Sequence, residues 1–124
     1  MLAEYLDLTD EFVNSYNGSN YSVTFEVSNY DYALVQFIHF SSEVSFKSTI
    51  DSGAVQGVTD GSILTSDNYV PAYATYLLNN SKVTVSPDNG IYRFDVVGRY
   101  IKLQNTDGIS PTSGKLLVTL TKIS

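Results

Sequence analysis

The sequence predicts an all-β protein, an antiparallel β-sandwich or jelly roll, with about eight short strands in a single domain over residues 1–124. Three observations predict it. Apolar residues recur with period two in segment after segment, turn signals separate these segments, and no stretch carries a helical stripe longer than a turn or two.

The first clear strand is 21–28, where Tyr21, Val23, Phe25 and Val27 point one way and Ser22, Thr24, Glu26 and Ser28 the other. After the turn-like Asn29-Tyr30-Asp31 comes 33–40, with Leu34, Ile38 and Phe40 on one face and Val35 and Phe37 on the opposite one. An apolar residue on each face predicts a strand covered on both sides. Further strands are expected around Val44 and Phe46, Val83 and Val85, Tyr92, Phe94 and Val96, Ile101 and Leu103, and Leu116, Val118 and Leu120. Between them lie Asp51-Ser52-Gly53, Thr59-Asp60-Gly61, Pro87-Asp88-Asn89-Gly90, Thr106-Asp107-Gly108 and Ser110–Gly114, residue types that favour tight turns. The stretch from Lys47 to Ser81 is loop-rich. There Tyr69, Tyr73 and Tyr76, around Pro71, are expected on an extended segment that crosses from one sheet to the other.

With 124 residues and no cysteine, the chain can bury a core without disulfides, and thiolate nucleophiles and zinc-thiolate sites are excluded. The N-terminus has neither the basic start nor the apolar run of a secretory signal, and no stretch is long enough to span a membrane as a helix, so neither export nor a membrane partner is expected. A formal charge of −6 argues against nucleic acid as a partner, because phosphate backbones would repel it. Ten tyrosines among many Ser, Thr and Asn residues suit sheet faces and contact surfaces.

Catalytic groups are sparse. His39, the one histidine, sits in the most hydrophobic strand, where a hydrogen-bonded residue at a sheet or subunit surface explains it better than a triad does. Asp51, Asp60, Asp67, Asp88 and Asp107 could supply paired carboxylates, but turn chemistry accounts for them. Asp51, Asp60 and Asp67 are the obvious donors for calcium, yet no EF-hand spacing is present, and no metal or other cofactor is expected. The glycosylation patterns at Asn17, Asn20 and Asn79 read as chance matches. Arg99 shares a face with Ile101 and Leu103 and is expected to be paired, locking one end of the sandwich. Tyr69, Tyr73 and Tyr76 are candidate binding residues, since exposed tyrosines anchor interfaces or stack on sugars, whereas capping of the core is the alternative.

The segments SFKSTIDSG, SPDNGIYRFDVVGRYIKLQ and KLLVTLTKIS resemble the discoidin-like and jelly-roll sandwiches of tailed-phage virions. The matching residues are Gly90, Tyr92, Phe94 and Val96, followed by Gly98, Arg99 and Tyr100. The turn departs from the family's unbroken Asp-Gly, and the tryptophan often found in that family is missing. The resemblance implies a non-enzymatic virion protein, assembled in the host cytoplasm: a capsid auxiliary or decoration subunit, a head-fibre component, or part of a tail. Its expected partners are capsid or other virion proteins and further copies of itself, with Val35 and Phe37 covering a neighbouring subunit and Gly98, Arg99 and Tyr100 in structural roles. The alternative is a carbohydrate- or receptor-binding module with glycans as partners. A hydrolase using two turn aspartates is a third reading, without organised support.

Overall fold

The computed structural model describes residues 2–16, 21–40, 43–49, 69–95, 99–105 and 114–123. Within these, ten strands and one short helix follow in the order β1 (Leu2–Asp7), α1 (Thr9–Val13), β2 (Ser22–Glu26), β3 (Tyr32–Ile38), β4 (Val44–Thr49), β5 (Val70–Pro71), β6 (Ala74–Tyr76), β7 (Ser81–Val83), β8 (Gly90–Asp95), β9 (Tyr100–Asn105) and β10 (Lys115–Lys122). They form two antiparallel sheets in a sandwich. One has six strands in the order β1-β10-β3-β8-β6-β7, and the other has four in the order β2-β9-β4-β5. The expected sandwich is therefore present with ten strands, the extra ones being short or at sheet edges.

The core forms where the inward-pointing residues of the two sheets meet. Val23, Phe25, Val44, Phe46, Ile101 and Leu103 come from the smaller sheet, and Ala33, Val35, Phe37, Tyr92, Phe94, Leu116, Val118 and Leu120 from the larger. At its centre Phe46 meets Phe94 edge-on at 5.0 Å and Tyr92 at 5.4 Å, the offset geometry that aromatic quadrupoles prefer. Phe12 of α1 is fully buried and closes one end of the sandwich, with its ring 5.5 Å from Phe40. Such a short helix is held by its surroundings: the Asp7 carboxylate accepts the Thr9 N–H at 3.0 Å, and Thr9 Oγ1 accepts the Leu116 N–H at 3.0 Å. Among the described residues no helix is long and apolar enough to cross a membrane.

β3 corrects one expectation. Val35 and Phe37 are 0% and 2% exposed and lie in the centre of the protein's own core, so they are not open to a neighbouring subunit. Leu34, Gln36 and Ile38 face outward and are half-buried. Phe40 nevertheless packs on the inner side, 5.3 Å from Phe37, because His39 adopts a left-handed conformation (φ 57°) that breaks the alternation. Phe40 also fills the space where a side chain at 114 would begin: a Cβ there would lie 2.1 Å from its ring, which accounts for Gly114.

The segment after Tyr69 does cross between the sheets, since β5 pairs with β4 in the smaller sheet and β6 pairs with β8 in the larger. Val96, Gly98, Asp51, Asp60, Asp67, Asp107 and the patterns at Asn17 and Asn20 lie outside the described residues.

Candidate functional site

Three surfaces could carry function. The first is the outer face of the six-stranded sheet. Its register sets Tyr5, Thr119, Leu34, Arg93 and Thr75 in one row across five strands, and Asp7, Leu117, Gln36 and Ile91 in the next. Tyr5 is 81% exposed, Leu77 47% and Ile91 38%, with Leu34, Ile38 and Leu117 half-buried between them. The Arg93 guanidinium lies 4.5 Å above the Tyr32 ring and pairs with Asp95 at 3.2 Å. On this face the apolar Tyr5, Leu34, Ile38, Leu77, Ile91 and Leu117 are interleaved with Thr and Gln residues and with the charged Asp7, Lys82, Arg93, Asp95 and Lys115, a mixture of the kind found at protein contact surfaces.

The second is the outer face of the four-stranded sheet, which is polar. Thr24, Lys102, Lys47 and Pro71 share one row. Lys102 is 2% exposed, with Nζ 5.2 Å from the centre of the Tyr69 ring, and the Lys47 ammonium donates to Gln104 Oε1 at 3.0 Å. Burial and the nearby Lys47 charge hold the Lys102 ammonium below its usual pKa. Burial pushes the Tyr69 phenol up, and the Thr24 hydroxyl beside it acts in the other direction without reaching hydrogen-bond geometry.

The third is a cleft of about 170 Å³ at the end of the sandwich closed by α1, between Phe40, Glu43 and the 86–89 loop. Its walls are pinned. The Asn89 side chain accepts the Phe40 N–H at 2.8 Å and donates to the Phe40 carbonyl at 3.0 Å, while the hydroxyls of Tyr76 and Tyr92 donate to the carbonyls of Asn89 (3.1 Å) and Asp88 (2.5 Å). Glu43 and Asp88 are its carboxylates, and among the described residues no three His, Cys, Asp or Glu side chains gather to hold a metal.

The three candidate tyrosines are not brought together. Tyr69 covers Lys102 and Tyr73 is 66% exposed at the crossover, but Tyr76 is 5% exposed and stacks on Tyr92 at 4.8 Å in the core. Tyr76 is inward because it shares the parity of Ala74 in β6. Arg99 is also not at a core margin: its side chain is 45% exposed, 3.6 Å from Glu26 and 5.7 Å from the Tyr100 ring. The locking there is done by its peptide group, whose N–H donates to Thr49 O at 2.7 Å and whose carbonyl accepts the Val27 N–H at 2.8 Å. His39 is exposed past the end of β3. Sequence reading did not single out Tyr5, Ile91 or Lys102; the outward apolar positions of β3 and β8 were the available signal for the first face.

No protein-family model matches the sequence, and no curated protein is significantly similar to it. Among solved structures, the fold is similar to the SPBc2 prophage-derived protein YomS, with a TM-score of 0.64 at 11% identity over 97% of this chain and 95% of YomS. It is also similar to the PBSX exported protein XepA, with a TM-score of 0.62 at 12% identity. That match covers 97% of this chain but 38% of XepA. At such identities the likeness concerns the fold, and it establishes this chain as a β-sandwich of the shape found in those two proteins.

Proposed function

We propose that this chain is a non-catalytic structural protein of a phage particle, of the capsid auxiliary, decoration or head-fibre type, that works by contact. The observation that carries the reading is the outer face of the six-stranded sheet, where the exposed Tyr5, Ile91 and Leu77 and the half-buried Leu34 and Leu117 lie among polar and charged residues, the composition of a contact surface. The likeness to a prophage-derived protein of almost the same extent supports it, and the virion, after assembly in the host cytoplasm, is the corresponding location. The partners are capsid or other virion proteins and further copies of the chain.

Particles purified on a density gradient from the source cells should carry the chain. The double variant Leu34→Asp, Ile91→Asp, folded by circular dichroism, should stay at the top of the gradient. Particles devoid of the wild-type chain would sink the reading.

The polar face of the smaller sheet favours a second reading, glycan binding, because Tyr69, Lys47 and Gln104 combine an aromatic ring with charged and amide groups. A glycan array decides this. Binding that disappears in Lys47→Ala but persists in the outer-face double variant would favour it.

A further inference from the structure

Among the described strands of more than two residues, β1 is the most exposed. It pairs with β10 along one side, Leu2↔Lys122 through Asp7↔Leu117 without a bulge, and its other side is a sheet edge. Five of its six residues are exposed, including Leu2 at 58% and Tyr5 at 81%.

Sheet edges are normally protected by brevity, proline, charged side chains or cover, because unpaired N–H and C=O groups recruit another strand. Two of the other three edges follow that rule, and the third does so at one position. β7 has three residues with Lys82 in the middle, β5 has two and contains Pro71, and on β2 the outward Ser22 N–H is taken by Ser15 Oγ at 2.8 Å. β1 has six residues, no proline and no lysine, and its two carboxylates are engaged within the chain, Glu4 by the Tyr30 hydroxyl and Asp7 by the Thr9 N–H.

The backbone parity fixes which groups are free. Leu8 N–H donates to Leu116 O at 2.9 Å, so Leu2, Glu4 and Leu6, at the same parity, direct their peptide groups to β10. Ala3, Tyr5 and Asp7 direct theirs outward, where no partner lies among the described residues.

We infer that β1 pairs antiparallel with β1 of a second copy across a two-fold axis centred on Tyr5, joining the two six-stranded sheets into one. Ala3, Tyr5 and Asp7 then meet Asp7, Tyr5 and Ala3 of the partner, and every outward N–H and C=O of the three finds a mate. Of the two neighbouring registers that keep the same faces aligned, the one centred on Leu6 sets Ala3 opposite Thr9 of α1 and satisfies fewer of these groups. The one centred on Glu4 sets two carboxylates opposite each other, which is unfavourable. Centring on Tyr5 instead places the two aromatic rings side by side on the outer face and sets no carboxylate opposite another. The inference rests on the structural-protein reading in one respect, that such a protein repeats in its particle.

The chain contains no cysteine, so a single one reports the register. Residues opposite each other in a hydrogen-bonded antiparallel pair have Cα atoms about 5.5 Å apart, within disulfide range. Tyr5→Cys should therefore cross-link to a dimer on mild oxidation roughly tenfold faster than Glu4→Cys, which lies opposite Leu6 of the partner. Light scattering should give twice the 13.7 kDa chain mass for the wild type. Tyr5→Lys, which sets two ammonium groups face to face, should return the monomer, with β1 still paired to β10 by hydrogen exchange. A wild type that is monomeric at every concentration, equal cross-linking at the two positions, or a dimer that survives Tyr5→Lys would each overturn the inference. Gradient-purified particles separate the two ideas: a monomer that still co-purifies with particles removes this pairing alone, while a dimer absent from particles removes the functional reading alone.

Discussion

Tyr92 shows how one side chain holds a loop. Its ring is fully buried between Phe37, Phe46 and Tyr76, and its hydroxyl reaches out of the core to the Asp88 carbonyl. Burial pushes its pKa up to about 12 from the usual 10.0, so the folded state favours the protonated phenol. A folded pKa above the unfolded one contributes stability that is complete below pH 10 and is lost as pH rises from there towards 12. Tyr92→Phe should cost about 1 kcal/mol at neutral pH and flatten this alkaline decline, both read from urea titrations across pH. Gly90, two residues earlier, sits at φ 142° with Tyr76 Cε1 2.9 Å from where a Cβ would be, so close packing and backbone conformation both require glycine there. Arg99 is the opposite case. An exposed guanidinium at 3.6 Å from Glu26 is screened by water, and Arg99→Ala should change stability by less than about 1 kcal/mol. A larger loss on thermal melting would restore a structural role to the side chain.

At the scale of elements, β3 carries the sharpest test. Its two faces are both apolar by composition, but one is core and the other is surface. Phe37→Ala should therefore cost about 3–5 kcal/mol through the cavity it opens, whereas Leu34→Ala should cost under about 1 kcal/mol, measured by chemical denaturation. Comparable losses at both positions would mean that the outer face is covered in the isolated chain. Period two could not tell these faces apart, because alternation reports that two faces exist and not which one is buried. β2, β4, β8, β9 and β10 were legible because polar and apolar residues alternate in them or because their apolar positions recur every second residue. β1 was not legible. An edge strand that buries little has no segregated pattern, and Leu2-Ala3-Glu4-Tyr5-Leu6-Asp7 shows none.

Across the described residues, six strands of one sheet lie against four of the other. The N-terminal β1 also pairs with the C-terminal β10, which closes the chain on itself only after its last strand is in place. Two copies meeting through β1 each bring a charge of −6, and this repulsion opposes association. Raising ionic strength shortens the screening length to about 8 Å at 0.15 M, so dimerisation should tighten between low and physiological salt in sedimentation equilibrium. Weakening with salt would indicate an interface held by ion pairs, contrary to the apolar and main-chain contacts described above.

Much of this protein was determined by local sequence: the sandwich class, from period-two patterning and turn residues; the aromatic core of Phe46, Tyr92 and Phe94; and the crossover around Pro71. These follow from alternation and turn chemistry, which act over a few residues. Tertiary structure alone decided that Val35, Phe37 and Tyr76 are interior, that Lys102 is buried beneath Tyr69 on an outward face, and that β1 is an edge strand with no second partner among the described residues. Each of these depends on which strands become neighbours and how far one sheet extends over the other, and that is set by contacts between residues distant in sequence.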